Sequence, residues 1–294
     1  MKKISLILIY LISVISAFSQ SNEVGKKYIY EFRDGTTIIG TFIKDEGGNI
    51  YINDLEGKET YLPRVMVAQI HGVTGDNLRD GEYWFPNLHD TRYFFAPSAF
   101  GLEQGEGYYS HSFWVLWQAQ YGITDNLSIG GGTSAFGIPT SVNAKYTFNI
   151  GESLNAAAGW FYVGDLFGIA GGDLEGLINM PYTVITKGTK ETNFTLGMGL
   201  NMAEDLSGSQ RPVISVGGAI RTSRRFALMF EGWVFNAFDN EGATLLGGPG
   251  IRYFRKINRV TAKNGAGAST WDFQLLMNPE LDGIIPMFGA SRKF

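Results

Sequence analysis

The residues that could perform chemistry are few and scattered along this chain. There are three histidines, His71, His89 and His111, and no cysteine. His111 precedes Ser112, and serine and histidine can act as nucleophile and base. Adjacent residues of a strand point to opposite faces, so this pair cannot share a hydrogen bond. The histidines also lack the spacing of metal ligands. We therefore predict no enzyme activity, no metal and no cofactor.

The elements that would position any site are read from hydrophobic alternation, which runs from Thr91 to the end. In one segment Phe194, Leu196 and Met198 alternate with Thr195 and Gly197. A period of two predicts strands with two unlike faces. The segments are about 10–15 residues long. This length exceeds that of typical strands in soluble proteins and matches that of strands that cross a bilayer at a tilt.

The N-terminus predicts export. Lys2 and Lys3 precede an apolar run at 4–18, and Ala17-Phe18-Ser19 has the small-x-small pattern of a cleavage site. Residues 1–19 are therefore predicted to be a secretory signal peptide. Charged residues are 18%, against about 25% in an ordinary globular domain, while aromatics reach 14%. The net charge of −4 argues against a nucleic-acid partner.

These observations predict an all-β protein with a transmembrane antiparallel up-and-down β-barrel over residues 91–294. Aromatic residues near segment ends favour this interpretation because they resemble interfacial girdles; they are Tyr93–Phe95, Tyr108–Tyr109, Trp160–Tyr162 and Tyr253–Phe254. We predict about twelve strands, near 91–101, 107–123, 126–135, 140–150, 153–164, 176–187, 191–203, 211–222, 225–237, 243–255, 268–278 and 283–294. A long basic stretch at 256–267 leaves ten or fourteen strands open.

Four charged residues lie in the middle of predicted strands: Lys145, Glu231, Arg252 and Asp272. A charge facing lipid at mid-depth costs about 2–4 kcal/mol for Arg or Lys, so all four should face the lumen. They could line a pore and tune its selectivity. Alternatively, they could pair across the lumen and rigidify a closed barrel.

The stretch YGITDNLSIGGG, residues 121–132, places glycines in a strand. Here Leu127 and Ile129 should face lipid, while Ser128, Gly130 and Gly132 should face inward. Small inward residues leave space in the lumen or admit bulky neighbours. The predicted outer loops are too short to fold deep into the lumen, and no plug domain of adequate size precedes the barrel.

The chain before the barrel has a different pattern. Four or five short strands separated by turns such as Asp34-Gly35 and Glu56-Gly57 predict a small β domain over 20–75. Its opening "DGT" and late "LP" resemble SH3-like and Sm-like barrels. Residues 76–90 are polar and rich in turn residues, which predicts a linker approaching the membrane surface.

Residues 91–294 resemble the outer-membrane β-barrels of Gram-negative bacteria, of an uncharacterised type frequent among Bacteroidota. The resemblance rests on the signal peptide, the alternation, turns such as "GITDNL" and the terminal Phe294. It implies outer-membrane lipid as surroundings, insertion by the barrel assembly machinery through the last strand, and both termini in the periplasm.

Two functions remain open. The first is a passive channel for small solutes or ions. The second is a structural or accessory barrel that transports nothing, whose residues 20–75 dock onto a periplasmic protein or an envelope complex.

Overall fold

The computed structural model describes residues 22–75, 77–79, 82–113, 115–165, 176–203, 211–237, 243–255, 265–279 and 283–294. The predicted signal peptide and most of 256–267 lie outside these ranges. The chain divides into two compact units at Gly75. Among the described residues, no helix is both long and apolar enough to cross a membrane.

The first unit is a five-stranded antiparallel sheet. Its strands are β1 (Lys27–Phe32), β2 (Thr37–Glu46), β3 (Asn49–Asn53), β4 (Glu59–Pro63) and β5 (Val67–Gly72), with a 3₁₀ turn at Arg64–Met66. The sheet order is β4-β3-β2-β1-β5. Alternate apolar residues form one buried cluster; it contains Tyr30, Phe32, Phe42, Ile50, Ile52, Leu62 and Val67.

The second unit is a closed barrel, preceded by a small hairpin of β6 (Leu78–Arg79) and β7 (Glu82–Tyr83). The barrel strands are β8 (Gly107–Ser112), β9 (Leu116–Gly122), β10 (Leu127–Ser134), β11 (Thr140–Gly151), β12 (Leu154–Gly164), β13 (Gly176–Gly188), β14 (Thr192–Asn201), β15 (Arg211–Arg221), β16 (Phe226–Phe235), β17 (Thr244–Phe254), β18 (Ser269–Asn278) and β19 (Gly283–Lys293).

The barrel closes where β19 pairs with β8, and every strand pairs antiparallel with its sequence neighbour. Gly107 and Lys293 therefore lie at the same end, which we call the terminal end. The half of the interior next to it is the terminal half, and the rest is the opposite half. Closure satisfies the backbone groups of every strand without a free edge, as a bilayer requires. The all-β fold with about twelve barrel strands is confirmed.

Two of the predicted strands were wrong. One is not a strand and the other is two strands, so the total number of strands stays the same. Residues 91–101 are not a barrel strand: the only pairing there is an isolated bridge between Arg92 and Pro97 among the described residues. Residues 107–123 are not one strand but a hairpin of β8 and β9, with Phe113 in the left-handed region at its tip. Alternation is unbroken across that hairpin, so periodicity alone could not find the turn.

The outer surface of the barrel is apolar. Ile129 is 46% exposed and Leu196 53%, whereas their inward neighbours Ser128 and Thr195 are 2% exposed. The same pattern holds on β16, where Leu228 and Phe230 are exposed. A continuous apolar band of this kind is typical of the lipid-facing surface of a transmembrane barrel.

Aromatic rings on the outer surface near the terminal end contact one another. Phe226 and Tyr253 have centroids 5.0 Å apart, and Tyr253 and Trp271 are 6.1 Å apart. The terminal Phe294 stacks on Tyr109. These positions match an interfacial girdle. The predicted girdle residues Tyr93–Phe95 were wrong, because that stretch lies inside the barrel.

Candidate functional site

We call residues 84–106, between β7 and β8, the inner segment; its mainly buried part, from Asn87 to Leu102, lies inside the barrel. Its backbone and side chains contact inward-facing residues of β11, β13, β14, β16, β17 and β19. A segment that touches strands around the whole of a closed ring must lie within that ring. The predicted linker at 76–90 does not end at the membrane surface, since Asn87, His89 and Asp90 are buried.

Glu231 holds a turn of the inner segment through its carboxylate. One oxygen, Oε2, accepts hydrogen bonds from the backbone N–H groups of Phe94, Phe95 and Ala96 at 2.9, 2.8 and 2.9 Å. The other oxygen accepts one from the indole of Trp233 at 2.9 Å. Successive N–H groups that converge in a turn form a cradle for an anion. The buried carboxylate therefore serves as the bound anion of this turn.

Lys145 plays the converse role for backbone carbonyls. Its ammonium group donates to the oxygens of Thr91, Ser98 and Phe100 at 3.0, 3.0 and 2.7 Å. An ammonium has three N–H donors, so these contacts use all of them. The residue is 4% exposed. Lys145 thus closes the loop of the inner segment from the β11 side.

Arg252 and Asp272 form a buried ion pair on neighbouring strands. The guanidinium donates to both carboxylate oxygens, at 2.8 and 2.9 Å, which is the strong two-pronged geometry. The Nη1 and Nη2 groups of Arg252 also donate to the carbonyl oxygens of His89 and Tyr93, at 2.6 and 2.7 Å. The pair therefore joins the barrel wall to the inner segment.

All four charged residues predicted to face the lumen are on the inward face of their strands. Three of them bond directly to the inner segment, and Asp272 does so through Arg252. Arg252 and Asp272 lie on different predicted strands. In the structure these strands are neighbours, and their register places the two residues directly opposite each other. A role for the four in solute selectivity stays a prediction.

Uncharged contacts complete the attachment. The Tyr93 hydroxyl lies 2.7 Å from Asn193 and 2.6 Å from Thr195, and the Ala99 N–H donates to Thr186 at 2.8 Å. Gly217 faces the Tyr93 ring so closely that a Cβ there would lie 2.3 Å from a ring carbon. Sequence reasoning missed this whole set, because its partners are backbone groups and small residues with no chemical signature.

His89 lies in the inner segment beside the ion pair. Its Nε2 is 3.0 Å from the Ala268 carbonyl, and its own carbonyl accepts from Arg252. Burial, together with the positive charge of Arg252, lowers the pKa of His89 to about 3. The ring is therefore neutral and donates through Nε2. His89, which the sequence placed in the predicted polar linker, is buried inside the barrel.

His111 and Ser112 are arranged as the alternation requires. The His111 ring packs on the outward face against Trp117, with centroids 5.1 Å apart, and Ser112 is the next residue on the strand. Within the described part of the chain, no cluster of histidine and acidic side chains could hold a metal ion.

The opposite half of the lumen contains a cavity of about 360 Å³. Thr91, Arg92, Phe95, Pro97 and Leu102 of the inner segment form part of its lining. The rest of its lining comes from β8 to β18. The lumen is thus divided into a filled terminal half and a partly empty opposite half.

A closed antiparallel barrel with an apolar outer band defines a transmembrane outer-membrane β-barrel. Comparison with solved structures finds distant similarities. The KdgM porin has a TM-score of 0.44 at 8% identity, covering 64% of this chain and 98% of the porin. The NanC porin has a TM-score of 0.41 at 10% identity, with the same coverage. OprD of Pseudomonas aeruginosa has a TM-score of 0.31 at 10% identity, covering 91% of this chain and 93% of OprD.

No family model matches the chain, and no curated protein matches it. The barrel assignment rests on the strand pairing and outer surface of this chain itself.

Proposed function

We propose that this protein is a passive outer-membrane channel for small solutes or ions, and that the inner segment is its gate. The observation that carries the proposal is the way the segment is held. It spans the lumen as a single strip of chain, attached by hydrogen bonds and ion contacts to side chains of the wall. Such a strip can leave the terminal half without unfolding any barrel strand.

The energetic argument favours a gate over a permanent filling. A core sealed for stability alone is made of apolar side chains, because buried charges bring a desolvation cost that their pairing barely repays. Here charged side chains bound to backbone groups provide much of the attachment, beside two apolar clusters that join Tyr93, Phe94, Ala96 and Ala99 to the wall. Those same backbone and side-chain groups can be satisfied by water when the segment moves away. Polar attachment therefore lowers the cost of opening relative to an apolar plug.

The test is a reversible lock on the gate. The native chain has no cysteine, so a pair introduced at Ala99→Cys and Thr186→Cys is the only one present. These positions are adjacent, since the Ala99 N–H donates to the Thr186 hydroxyl at 2.8 Å. In planar bilayers, oxidation of the double variant should abolish single-channel steps, and a reductant should restore them.

The two single cysteine variants are the controls, and neither should respond to oxidant. Currents that persist at full amplitude in the oxidised double variant would show that solutes do not pass the inner segment. Absence of stepwise current in the native chain at every voltage would remove the channel proposal altogether.

We also propose the membrane topology and partners. Both termini face the periplasm of a Gram-negative cell, of the Bacteroidota type, and the barrel assembly machinery engages β19 and Phe294. In support, four of the five connections at the terminal end are short, at 123–126, 152–153, 189–191 and 222–225, whereas the fifth, 255–268, is longer; short periplasmic turns are usual in outer-membrane barrels. A periplasmic protein partner of residues 20–75 remains compatible with this orientation. Protease accessibility of residues 22–75 in intact and in permeabilised cells would test it.

A further inference from the structure

The cavity in the opposite half has two chemically different walls. On one side β9 and β11 present amides and a hydroxyl, from Gln118, Gln120, Ser141 and Asn143. On the other side the strands from β12 to β18 present apolar side chains; examples are Val163, Ile178, Met180, Val213, Trp233 and Leu276. A cavity of this size with one polar wall is typical of a small-molecule site.

The glycines of β10 make the polar wall possible. A Cβ at Gly130 would lie 2.6 Å from the Gln120 amide oxygen, and one at Gly132 would lie 2.9 Å from the Gln118 side chain. Both amide side chains therefore lie across the glycines. The inward glycines thus position two hydrogen-bonding groups at the edge of the cavity.

Two of the three charged residues that border the cavity, Lys145 and Glu231, have their bonds already committed. The Nη1 and Nη2 groups of the third, Arg92, donate to the carbonyls of Tyr93 and Phe94 and to the Ser291 hydroxyl. The Lys145 ammonium is used by three carbonyls of the inner segment. Both Glu231 oxygens accept from protein N–H groups. A charged ligand entering the cavity would lose its hydration and find these charges already bonded, which disfavours it strongly. An uncharged ligand pays no such penalty.

We propose that this cavity binds an uncharged amphipathic small molecule, with an apolar body against the β12–β18 wall and a hydroxyl or amide on Gln118, Gln120 and Asn143. This inference rests on the proposed function only in treating the ligand as the class of solute that the channel admits. Binding itself requires no passage through the inner segment.

The experiment uses the full chain in lipid nanodiscs, titrated calorimetrically with 2-naphthol, with the heat of empty nanodiscs subtracted. 2-Naphthol has an apolar body and one hydroxyl and is uncharged at neutral pH. The comparison ligands are 2-naphthalenesulfonate, which carries a charge on the same ring system, and sucrose, which is uncharged but polar throughout. We expect saturable binding of one 2-naphthol per chain, about tenfold or more tighter than the sulfonate, and no heat from sucrose.

Two matched variants locate the site. Val213→Phe fills the cavity, whereas Val216→Phe adds the same group on the same strand facing outward. The first should weaken 2-naphthol binding about tenfold or more and the second should not, with heat-modifiable gel mobility confirming that both barrels fold. Gln120→Leu should weaken 2-naphthol a few-fold and leave naphthalene unchanged.

Three results would overturn the inference: no saturable binding beyond that of empty nanodiscs, equal affinity for the sulfonate, or binding that Val213→Phe leaves intact. Failure of the channel proposal is separate. A chain that binds 2-naphthol but never conducts keeps the site and loses the channel. A chain that conducts but binds none of the three ligands keeps the channel and loses the site.

Discussion

The two halves of the barrel interior are lined in opposite ways. In the terminal half, buried charges such as Glu231 and Arg252 bind backbone groups of the inner segment. In the opposite half, the wall is largely apolar with amides on one side, and space remains. Charge in this lumen therefore indicates where the wall meets the inner segment, and the cavity beside these charges indicates where a ligand can enter. A solute path cannot be inferred from inward charges alone.

The largest expected effect comes from removing the negative charge of Glu231, which binds the turn of the inner segment. Glu231→Gln leaves an amide in place of the carboxylate that binds the N–H groups of Phe94, Phe95 and Ala96. Replacing the charged acceptor by a neutral one weakens each of the three hydrogen bonds by about 1 kcal/mol, or about 3 kcal/mol in all. We expect that loss in the free energy of docking of the inner segment, with faster amide exchange at 94–96 and more frequent channel opening.

Glu152→Gln is the matched control, because it makes the same change at an exposed turn. Hydrogen exchange followed by mass spectrometry gives the free energy for the inner segment and for the strands separately. Unchanged exchange at 94–96 in Glu231→Gln would mean that the carboxylate does not hold the segment.

A smaller effect is expected from the close approach of wall and segment. In Gly217→Ala the new Cβ would lie 2.3 Å from the Tyr93 ring, so the ring must move away from Asn193 and Thr195. Overpacking of this kind costs about 1–3 kcal/mol. Its neighbour provides the control, since a Cβ at Gly218 would meet its nearest atom at an ordinary 3.5 Å.

Amide exchange of the inner segment and the opening frequency should change in Gly217→Ala and stay at native values in Gly218→Ala. Equal behaviour of the two variants would show that Tyr93 is free to leave its position. That outcome would place the constraint on the segment entirely in its charged contacts.

The barrel could be predicted because the solvent imposes it on every strand. Lipid outside forces apolar residues to alternate, as in Phe194, Leu196 and Met198, and the alternation is visible in the sequence. The inner segment meets no lipid and has no such constraint. Its residues 91–101 are rich in apolar and aromatic residues, so their sequence resembles that of a strand. Only the pairing partners distinguish the two.

The candidate site shows the same limit. The inward direction of Lys145 and Asp272 follows from alternation, because a charge facing lipid is costly. Their partners do not, since Lys145 binds carbonyl groups that any residue could supply. The polar wall of the cavity could not be predicted either. Gly130 and Gly132 predicted space on the inward face, but the register of β9 against β10 decides that the Gln120 and Gln118 side chains lie over them.

The smallest effect, and the sharpest test of the terminal half, comes from pH. The folded protein holds His89 neutral because burial and Arg252 lower its pKa to about 3, whereas a released segment would have the ordinary value near 6.5. Below pH 6.5 the released form binds a proton that the docked form excludes. Docking is therefore fully stable above that pH and weakens as pH falls toward 3, by about 1.4 kcal/mol per unit. Between pH 7.5 and 5.5, amide exchange at 87–91, corrected for its intrinsic pH dependence, should report a loss of about 1.4 kcal/mol. His89→Gln keeps an N–H donor for the Ala268 carbonyl but cannot be protonated, so its docking free energy should be unchanged over this interval; an identical loss in both proteins would assign the pH dependence to another group.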